Sequence, residues 1–166
     1  AASHLVSLCE AAAGGSSGDV EATARLFDLL AGGLNLLERC PAAALEPVVL
    51  GLELRYLALE GALPDLERCV DCGGGLADGA FRAAGPGLAC RRHAELPRTS
   101  VGADALALLR TLRDAPGRDW PRLLQPTGLA GARPLPAAWL LAATEHRSPW
   151  RRELLLAQQR DLQQPA

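Results

Sequence analysis

The most constraining feature of the chain is a pair of short ligand motifs near its middle. Their spacing is Cys-x2-Cys-x17-Cys-x2-His, formed by Cys69, Cys72, Cys90 and His93. The two residues between the ligands of each motif match the reach of one tight turn, and two such turns can arrange four ligands tetrahedrally around a zinc ion. Glycine follows Cys72 at three positions, and it lets backbone N–H groups approach a thiolate at little steric cost. The spacing therefore predicts a small zinc ribbon.

Four protein ligands leave no coordination position for water, so the pattern favours a structural Zn²⁺ ion over a catalytic one. Two alternatives stay open. The cysteines could form a disulfide or be buried thiols, although nothing else in the sequence indicates an oxidising compartment. His93 could also lie beside the metal, with water or another group completing the coordination.

No enzyme motif accompanies the cysteines. The His-x-Glu element of zinc deaminases does not precede Cys69. The glycines after Cys72 lack the Lys-Ser/Thr that follows a phosphate-binding loop. No Ser/His/Asp set or pair of carboxylates stands out either. We therefore expect that the protein is not an enzyme.

Charge is unevenly distributed along the chain. The net charge is −2, but residues 1–67 carry ten acidic residues against three arginines, whereas residues 68–166 carry fourteen arginines against nine acidic residues. A basic half that contains a zinc ribbon indicates contact with nucleic acid or with an acidic protein tail. The alternative is an ordinary solvated surface.

Composition also bears on the cellular compartment. No apolar run reaches the ~20 residues of a membrane-spanning helix, and no signal peptide precedes the domain, so we expect a cytoplasmic protein without membrane contact. Five cysteines, four of them accounted for by zinc or burial, suit a reducing compartment. The chain has no methionine and begins at Ala1, which suggests that the natural N-terminus lies upstream.

Helical periodicity on both sides of the ribbon predicts a mostly α fold, a helical bundle with an inserted small Cys3His ribbon. The first helical part covers residues 1–66, the ribbon residues 67–97, and the second helical part residues 98–166. The expected helices span, in chain order, about 4–10, 19–39, 44–60, 100–114 and 139–146, with a last one from 148.

Single residues refine these helices. Gly61 is expected to end the third helix, and Ser100 to cap the helix that follows the ribbon. Gly32 and Gly33 are expected to allow close approach between helices. Residues 125–136 are expected to be irregular.

Residues 50–73 carry a family resemblance. They read Leu-Gly-Leu-Glu-Leu-Arg-Tyr-Leu, later Gly-Ala-Leu-Pro, and finally Cys-Val-Asp-Cys-Gly, which resembles bacterial RecO, a recombination mediator. The segment before Cys90 is similar to the family's approach to its second pair of ligands. The resemblance covers about residues 20–155 and is most specific over residues 50–90. This chain has His93 where the family usually has cysteine, and we do not expect the family's N-terminal OB-fold domain within these 166 residues.

The resemblance implies a function in DNA repair and recombination. RecO proteins bind single- and double-stranded DNA, contact the partner protein RecR, and bind the acidic C-terminal tail of single-stranded DNA-binding protein. They help to load RecA and anneal complementary strands without covalent chemistry, and they work in the cytoplasm at the nucleoid. The alternative is a helical protein–protein adaptor with a purely structural ribbon and no DNA binding of its own.

Arginine suits phosphate or carboxylate recognition because its planar guanidinium can donate paired hydrogen bonds. Two groups of arginines are candidates, one around the ribbon and one near the C-terminus, where Trp150 could stack a base. An acidic, aromatic-ended tail would need a pocket between leucine-rich helices that is rimmed by arginine. The predicted nucleic-acid or partner contacts are Arg68, Arg91, Arg92, Arg98, Arg147, Arg151 and Arg152.

Overall fold

Helices form most of the described chain, and a small sheet interrupts them. The computed structural model describes residues 1–15, 20–76, 80–82, 85–94, 100–123 and 126–144. The predicted class, a mostly helical fold with a small inserted ribbon, is confirmed. The elements are α1 (Ala2–Gly15), α2 (Val20–Arg39), α3 (Leu45–Leu59), β1 (Ala80–Arg82), β2 (Leu88–Ala89), β3 (Ser100–Val101), α4 (Ala103–Asp114), α5 (Leu129–Ala132) and α6 (Pro134–Thr144), with 3-10 helices at Ala42–Ala44 and Gly117–Arg122.

Helix α3 lies at the centre of the helical part and packs against α2, α4, α6 and the 3-10 helix Gly117–Arg122. Leu50, Leu54 and Leu57 lie on one side of α3 and are at most 1% exposed. The opposite side of the helix is buried as well, with Val48 and Tyr56 fully enclosed. A helix whose opposite sides both bury apolar residues is a core helix rather than a surface helix.

Gly33 is the contact point of three helices. A Cβ at this position would lie 2.5 Å from Cδ2 of Leu5 in α1 and 3.0 Å from Cδ2 of Leu52 in α3. A Cβ at Gly32 would meet nothing within 4 Å. The predicted role in close helix packing is therefore confirmed for Gly33 and wrong for Gly32, because one residue rotates the position by about 100° around the helix.

A buried polar pair links α1 to α3. Nε2 of His4 lies 2.9 Å from Oε1 of Glu53, and the two side chains are 3% and 1% exposed. Buried polar groups of this kind need partners, because an unpaired one loses its hydration without compensation. The sequence did not single out either residue.

The ribbon shares one hydrophobic core with the helices. Leu66, Leu76 and Leu88 are at most 1% exposed and belong to the same buried cluster as the leucines of α3 and α4. The guanidinium of Arg110 on α4 donates to the Leu66 carbonyl at 2.8 and 3.2 Å. It also pairs with Glu67. The ribbon is thus packed directly against the helical part.

The segment after the ribbon differs from prediction. Ser100 lies in β3, which pairs antiparallel with β1 and places Ser100 opposite Phe81. The strand order is β2-β1-β3. The predicted cap at Ser100 is therefore wrong, and Gly102 directly precedes α4. The buried side of α4 carries Leu106, Leu109 and Leu112.

The expectation of irregular structure over residues 125–136 is also wrong where the chain is described. Helix α5 begins after Gly128, whose φ is 85°, and a Cβ there would lie 2.3 Å from the carbonyl carbon of Asp104. Only glycine allows this close backbone contact, which starts the helix. Pro134 then begins α6, where a proline needs no N–H partner. The end of the helix predicted over 139–146 and the one predicted from 148 lie outside the described residues.

Within the described residues, no helix combines the length and the apolar character that crossing a membrane requires.

Candidate metal centre and arginine-lined cleft

The first pair of ligands lies in a tight turn after residue 68. The N–H of Cys69 donates to the Gly74 carbonyl at 2.8 Å, and the N–H of Gly73 donates to the Cys69 carbonyl at 2.9 Å. Gly73 has a φ of 68°, a conformation that glycine adopts without strain. The turn thus depends on the glycines that follow Cys72, as their sequence position suggested.

The second pair of ligands follows β2. The N–H groups of His93 and Ala94 both donate to the Cys90 carbonyl at 3.0 Å, which closes the second turn. The N–H of Val70 in the first turn donates to the Leu88 carbonyl at 2.9 Å. This bond joins the two turns and brings their ligands face to face.

The structure brings all four predicted ligands together. Their ligand atoms lie within 4.8 Å of one another. Nδ1 of His93 is 3.3 Å from Sγ of Cys90 and 3.8 Å from Sγ of Cys69. In a tetrahedral zinc site with Zn–S bonds of ~2.3 Å, neighbouring thiolates are about 3.8 Å apart. Three thiols and one imidazole at these separations can hold a metal ion.

The environment of Cys69 favours its thiolate. Burial raises the pKa of this thiol, but the backbone N–H groups of Cys90, Cys72 and Asp71, together with the Cys72 thiol, stabilise the negative sulfur and lower its pKa to about 6. Hydrogen bonds to the charged form have this effect because they are lost on protonation. A metal-binding thiol must be deprotonated, so the local backbone prepares Cys69 for that role.

His93 and Cys90 shift one another in opposite directions. The hydrogen bond between their side chains lowers the pKa of Cys90 and, together with the contact to Cys69, raises the pKa of His93. The pair therefore favours a thiolate beside an imidazolium. A bound cation would displace the imidazole proton and take its place between these ligands.

The structure describes three of the seven arginines that were predicted to contact nucleic acid or a partner. Arg91 and Arg92 occupy the two positions between Cys90 and His93 and are exposed. Arg68 is exposed as well and forms an isolated antiparallel bridge with Gly75 beside the first turn. Arg98, Arg147, Arg151 and Arg152 lie outside the described residues.

A cleft of about 950 Å³ lies between α2, α3 and the 3-10 helix Gly117–Arg122. It is a second candidate site that the sequence did not locate. Its floor is largely apolar and includes Leu29, Leu36, Leu52 and Leu59. Among the described residues, four arginines and one carboxylate, that of Asp28, line it; the arginines are Arg25, Arg39, Arg55 and Arg118.

Arg55 is held in place at the edge of this cleft. Its guanidinium lies 5.5 Å from the centre of the Trp120 ring and donates to the Ala115 carbonyl at 3.1 Å. The Trp120 indole N–H donates to the Leu112 carbonyl at 3.1 Å. The cation–π contact with this fixed indole orients the guanidinium of Arg55 in the absence of a ligand.

Sequence periodicity could have indicated part of the cleft. Arg25, Gly32, Leu36 and Arg39 recur at helical spacing on one side of α2. The opposite wall comes from residues more than 75 positions later in the chain, and no local pattern connects it to α2. The cleft could therefore be located only from the tertiary structure.

The fold and site define a helical domain with an inserted four-ligand ribbon. The family described as "Recombination protein O C terminal" matches residues 1–128, which include α1 to α4 and the whole ligand set. The match covers well over half of the chain, so the chain belongs to this family, and the resemblance to RecO is confirmed. No curated protein matches the chain, and no solved structure matches it.

Proposed function

We propose that this protein is a RecO-like recombination mediator of DNA repair that acts by binding DNA and partner proteins, not by catalysis. The observation that carries the proposal is the family match across the ribbon and the surrounding helices. Membership supports a role in recombination and repair. Such a mediator would work in the cytoplasm at the nucleoid and would contact RecR.

The metal of the proposed function is a structural Zn²⁺ ion held by Cys69, Cys72, Cys90 and His93. The donor set supports this choice, since zinc prefers thiolate and imidazole nitrogen in tetrahedral sites. When bound, the ion would cross-link the two turns. The surrounding residues prepare the site for the ion. The backbone N–H groups around Cys69 stabilise its thiolate, and the Val70–Leu88 hydrogen bond holds the two turns together.

DNA binding in this proposal uses the arginines around the ribbon. Arg91 and Arg92 are exposed on a turn that is fixed at both ends by ligands, and Arg68 adds charge beside the first turn. The arginine clusters of the sequence add Arg98, Arg147, Arg151 and Arg152. Neutralising phosphates releases counterions, so single- and double-stranded DNA affinity should fall steeply with salt.

The cleft is the proposed site for the acidic tail of single-stranded DNA-binding protein. An acidic, aromatic-ended peptide needs an apolar floor for its ring and cations for its carboxylates. The leucines between α2 and α3 and the four surrounding arginines meet both requirements. Arg55 is the arginine best oriented to bind a carboxylate, because its guanidinium is held over the Trp120 ring.

Fluorescence anisotropy with labelled single-stranded DNA and with a labelled acidic peptide ending in phenylalanine tests the proposal. Arg118→Glu should weaken peptide binding at least tenfold, while Arg122→Glu on the same 3-10 helix should not, because Arg122 does not line the cleft. Arg91→Ala with Arg92→Ala should weaken DNA binding and leave peptide binding unchanged. If neither DNA nor peptide binds at low salt, the adaptor alternative is favoured.

A further inference from the structure

Gly32 is an exposed glycine in the interior of helix α2. A Cβ at this position would meet nothing within 4 Å among the described residues, whereas a Cβ at the neighbouring Gly33 would clash with Leu5 and Leu52. Glycine inside a helix is less favourable than alanine. Close packing between helices accounts for Gly33, but it does not account for Gly32.

Gly32 lies on the side of α2 that faces the cleft. Arg25 and Arg39, which also line the cleft, are each seven residues from Gly32 along the helix. Seven residues are about two turns, so the two arginines lie on the same side of α2 as Gly32, about 10 Å before and after it. Leu29 and Leu36 flank it and are half-buried. The missing side chain therefore leaves a notch over Gly32 in the apolar floor of the cleft, midway between two arginines.

The fold already contains one aromatic ring that packs on a helical glycine. The Trp120 indole covers the buried Gly51 of α3, where a Cβ would lie 2.6, 2.7 and 2.8 Å from three ring atoms. A glycine backbone has no protruding Cβ, so a ring can approach it closely. Gly32 presents the same kind of surface to the open cleft. An aromatic side chain of a ligand can therefore pack on Gly32 as Trp120 packs on Gly51.

The charges on the two sides of the notch differ. Arg39 forms no ion pair within the described part of the chain, whereas Arg25 pairs with a carboxylate of its own helix. Asp28 lies one turn before Gly32, on the Arg25 side, and the neutral Asn35 lies on the Arg39 side. A carboxylate of a ligand is therefore attracted to the Arg39 side of the notch and repelled from the other side.

We propose that the notch over Gly32 admits the terminal aromatic ring of the acidic peptide, with the peptide's carboxylates directed toward Arg39. This inference rests on the proposed function, in which the cleft binds an acidic tail. Burial of an aromatic side chain raises affinity roughly 10- to 100-fold, so the notch supplies much of the specificity for a tail that ends in a ring. A side chain at position 32 would fill the notch and exclude the ring, while the arginines would remain.

Fluorescence anisotropy with two labelled acidic peptides, one ending in phenylalanine and the other in alanine, tests the ring position. The unchanged protein should bind the phenylalanine peptide at least about tenfold more tightly. Gly32→Leu should lose this preference and bind the alanine peptide as the unchanged protein does. Leucine favours helix over glycine, so thermal denaturation should show no loss of stability. Ala31→Leu is the matched control, because it enlarges the adjacent exposed residue outside the cleft, and it should keep the preference.

Two further comparisons separate the ring position from the tail site itself. Arg39→Glu should weaken binding of both peptides more than Arg25→Glu does, and the reverse order would overturn the direction. If Gly32→Leu keeps the preference for phenylalanine while Arg118→Glu weakens binding of both peptides, the tail site stands and the ring position is overturned. Equal binding of the two peptides by the unchanged protein also overturns it. If neither peptide binds at low salt, the proposed tail site fails together with the notch.

Discussion

The indole ring of Trp120 packs directly on Gly51, so closely that a Cβ at position 51 would lie 2.6 Å from the ring. This contact connects the central helix α3 with the wall of the cleft. It also places Trp120 where Arg55, one turn further along α3, can lie over the ring at 5.5 Å.

Gly51→Ala should destabilise the protein by about 1–3 kcal/mol, because the added methyl group overpacks a buried site and displaces Trp120. Urea denaturation followed by circular dichroism measures the change. Gly32→Ala is the matched control, since a Cβ there meets nothing within 4 Å and alanine favours helix by up to ~1 kcal/mol over glycine. Equal stability of the two variants would contradict the contact with Trp120.

Removing metal with a chelator should unfold the ribbon while most helical circular dichroism signal remains, because the described part of the ribbon forms strands of only two or three residues and the metal would cross-link its two turns. His93→Ala should lower zinc content below one ion per chain, and His93→Cys should retain it. Metal analysis after dialysis measures both. Full zinc content in His93→Ala would exclude the histidine from the ligand set.

Tyr56 is the only tyrosine of the chain, so its titration can be followed alone at 295 nm. Burial, with smaller effects of Glu60 and Cys9, raises its pKa to about 12 from the usual 10. A pKa that is higher in the folded state means that this group's contribution to stability is present below pH 10 and is lost as pH rises through 12. The absorbance should therefore change near pH 12 in the folded protein and near pH 10 in urea.

Tyr56→Phe provides the control for that titration. The hydroxyl of Tyr56 is buried and has no hydrogen-bond partner among the described residues. Removing it should leave stability unchanged or increase it, because a buried unpaired polar group is unfavourable. The 295 nm signal should disappear at the same time. A large loss of stability in Tyr56→Phe would show that the hydroxyl has a partner.

Removing one member of the His4–Glu53 pair should lower the free energy of unfolding. Glu53→Leu removes the carboxylate that lies 2.9 Å from the buried imidazole, and loss of a buried hydrogen-bond partner costs about 1–3 kcal/mol. The double variant His4→Leu with Glu53→Leu should lose less than the sum of the two single changes. Thermal denaturation of the four proteins gives the coupling between the residues. Strict additivity would argue that the 2.9 Å contact does not stabilise the fold.

The ligand set was predictable because each pair of ligands is local and glycines mark the first turn. The helices were predictable for the same reason, as periodicity is a local signal. Ser100 was mistaken for a cap because its role depends on pairing with Phe81, nineteen residues earlier, which no local pattern reveals. His4 with Glu53, and Arg55 with Trp120, are likewise distant in sequence and meet only in the folded chain.

The packing of the ribbon against α4 has a consequence for ligands bound at the same time. Arg110 ties the chain at Leu66 and Glu67 to α4, and the leucines of the ribbon and of the helices bury one another. The second turn and the cleft thus lie on parts of the chain that share one hydrophobic core. In the proposed function, a DNA strand at the ribbon and a protein tail in the cleft would be bound by one packed domain. If the tail belongs to a protein on the same DNA, binding of either ligand would raise the local concentration of the other.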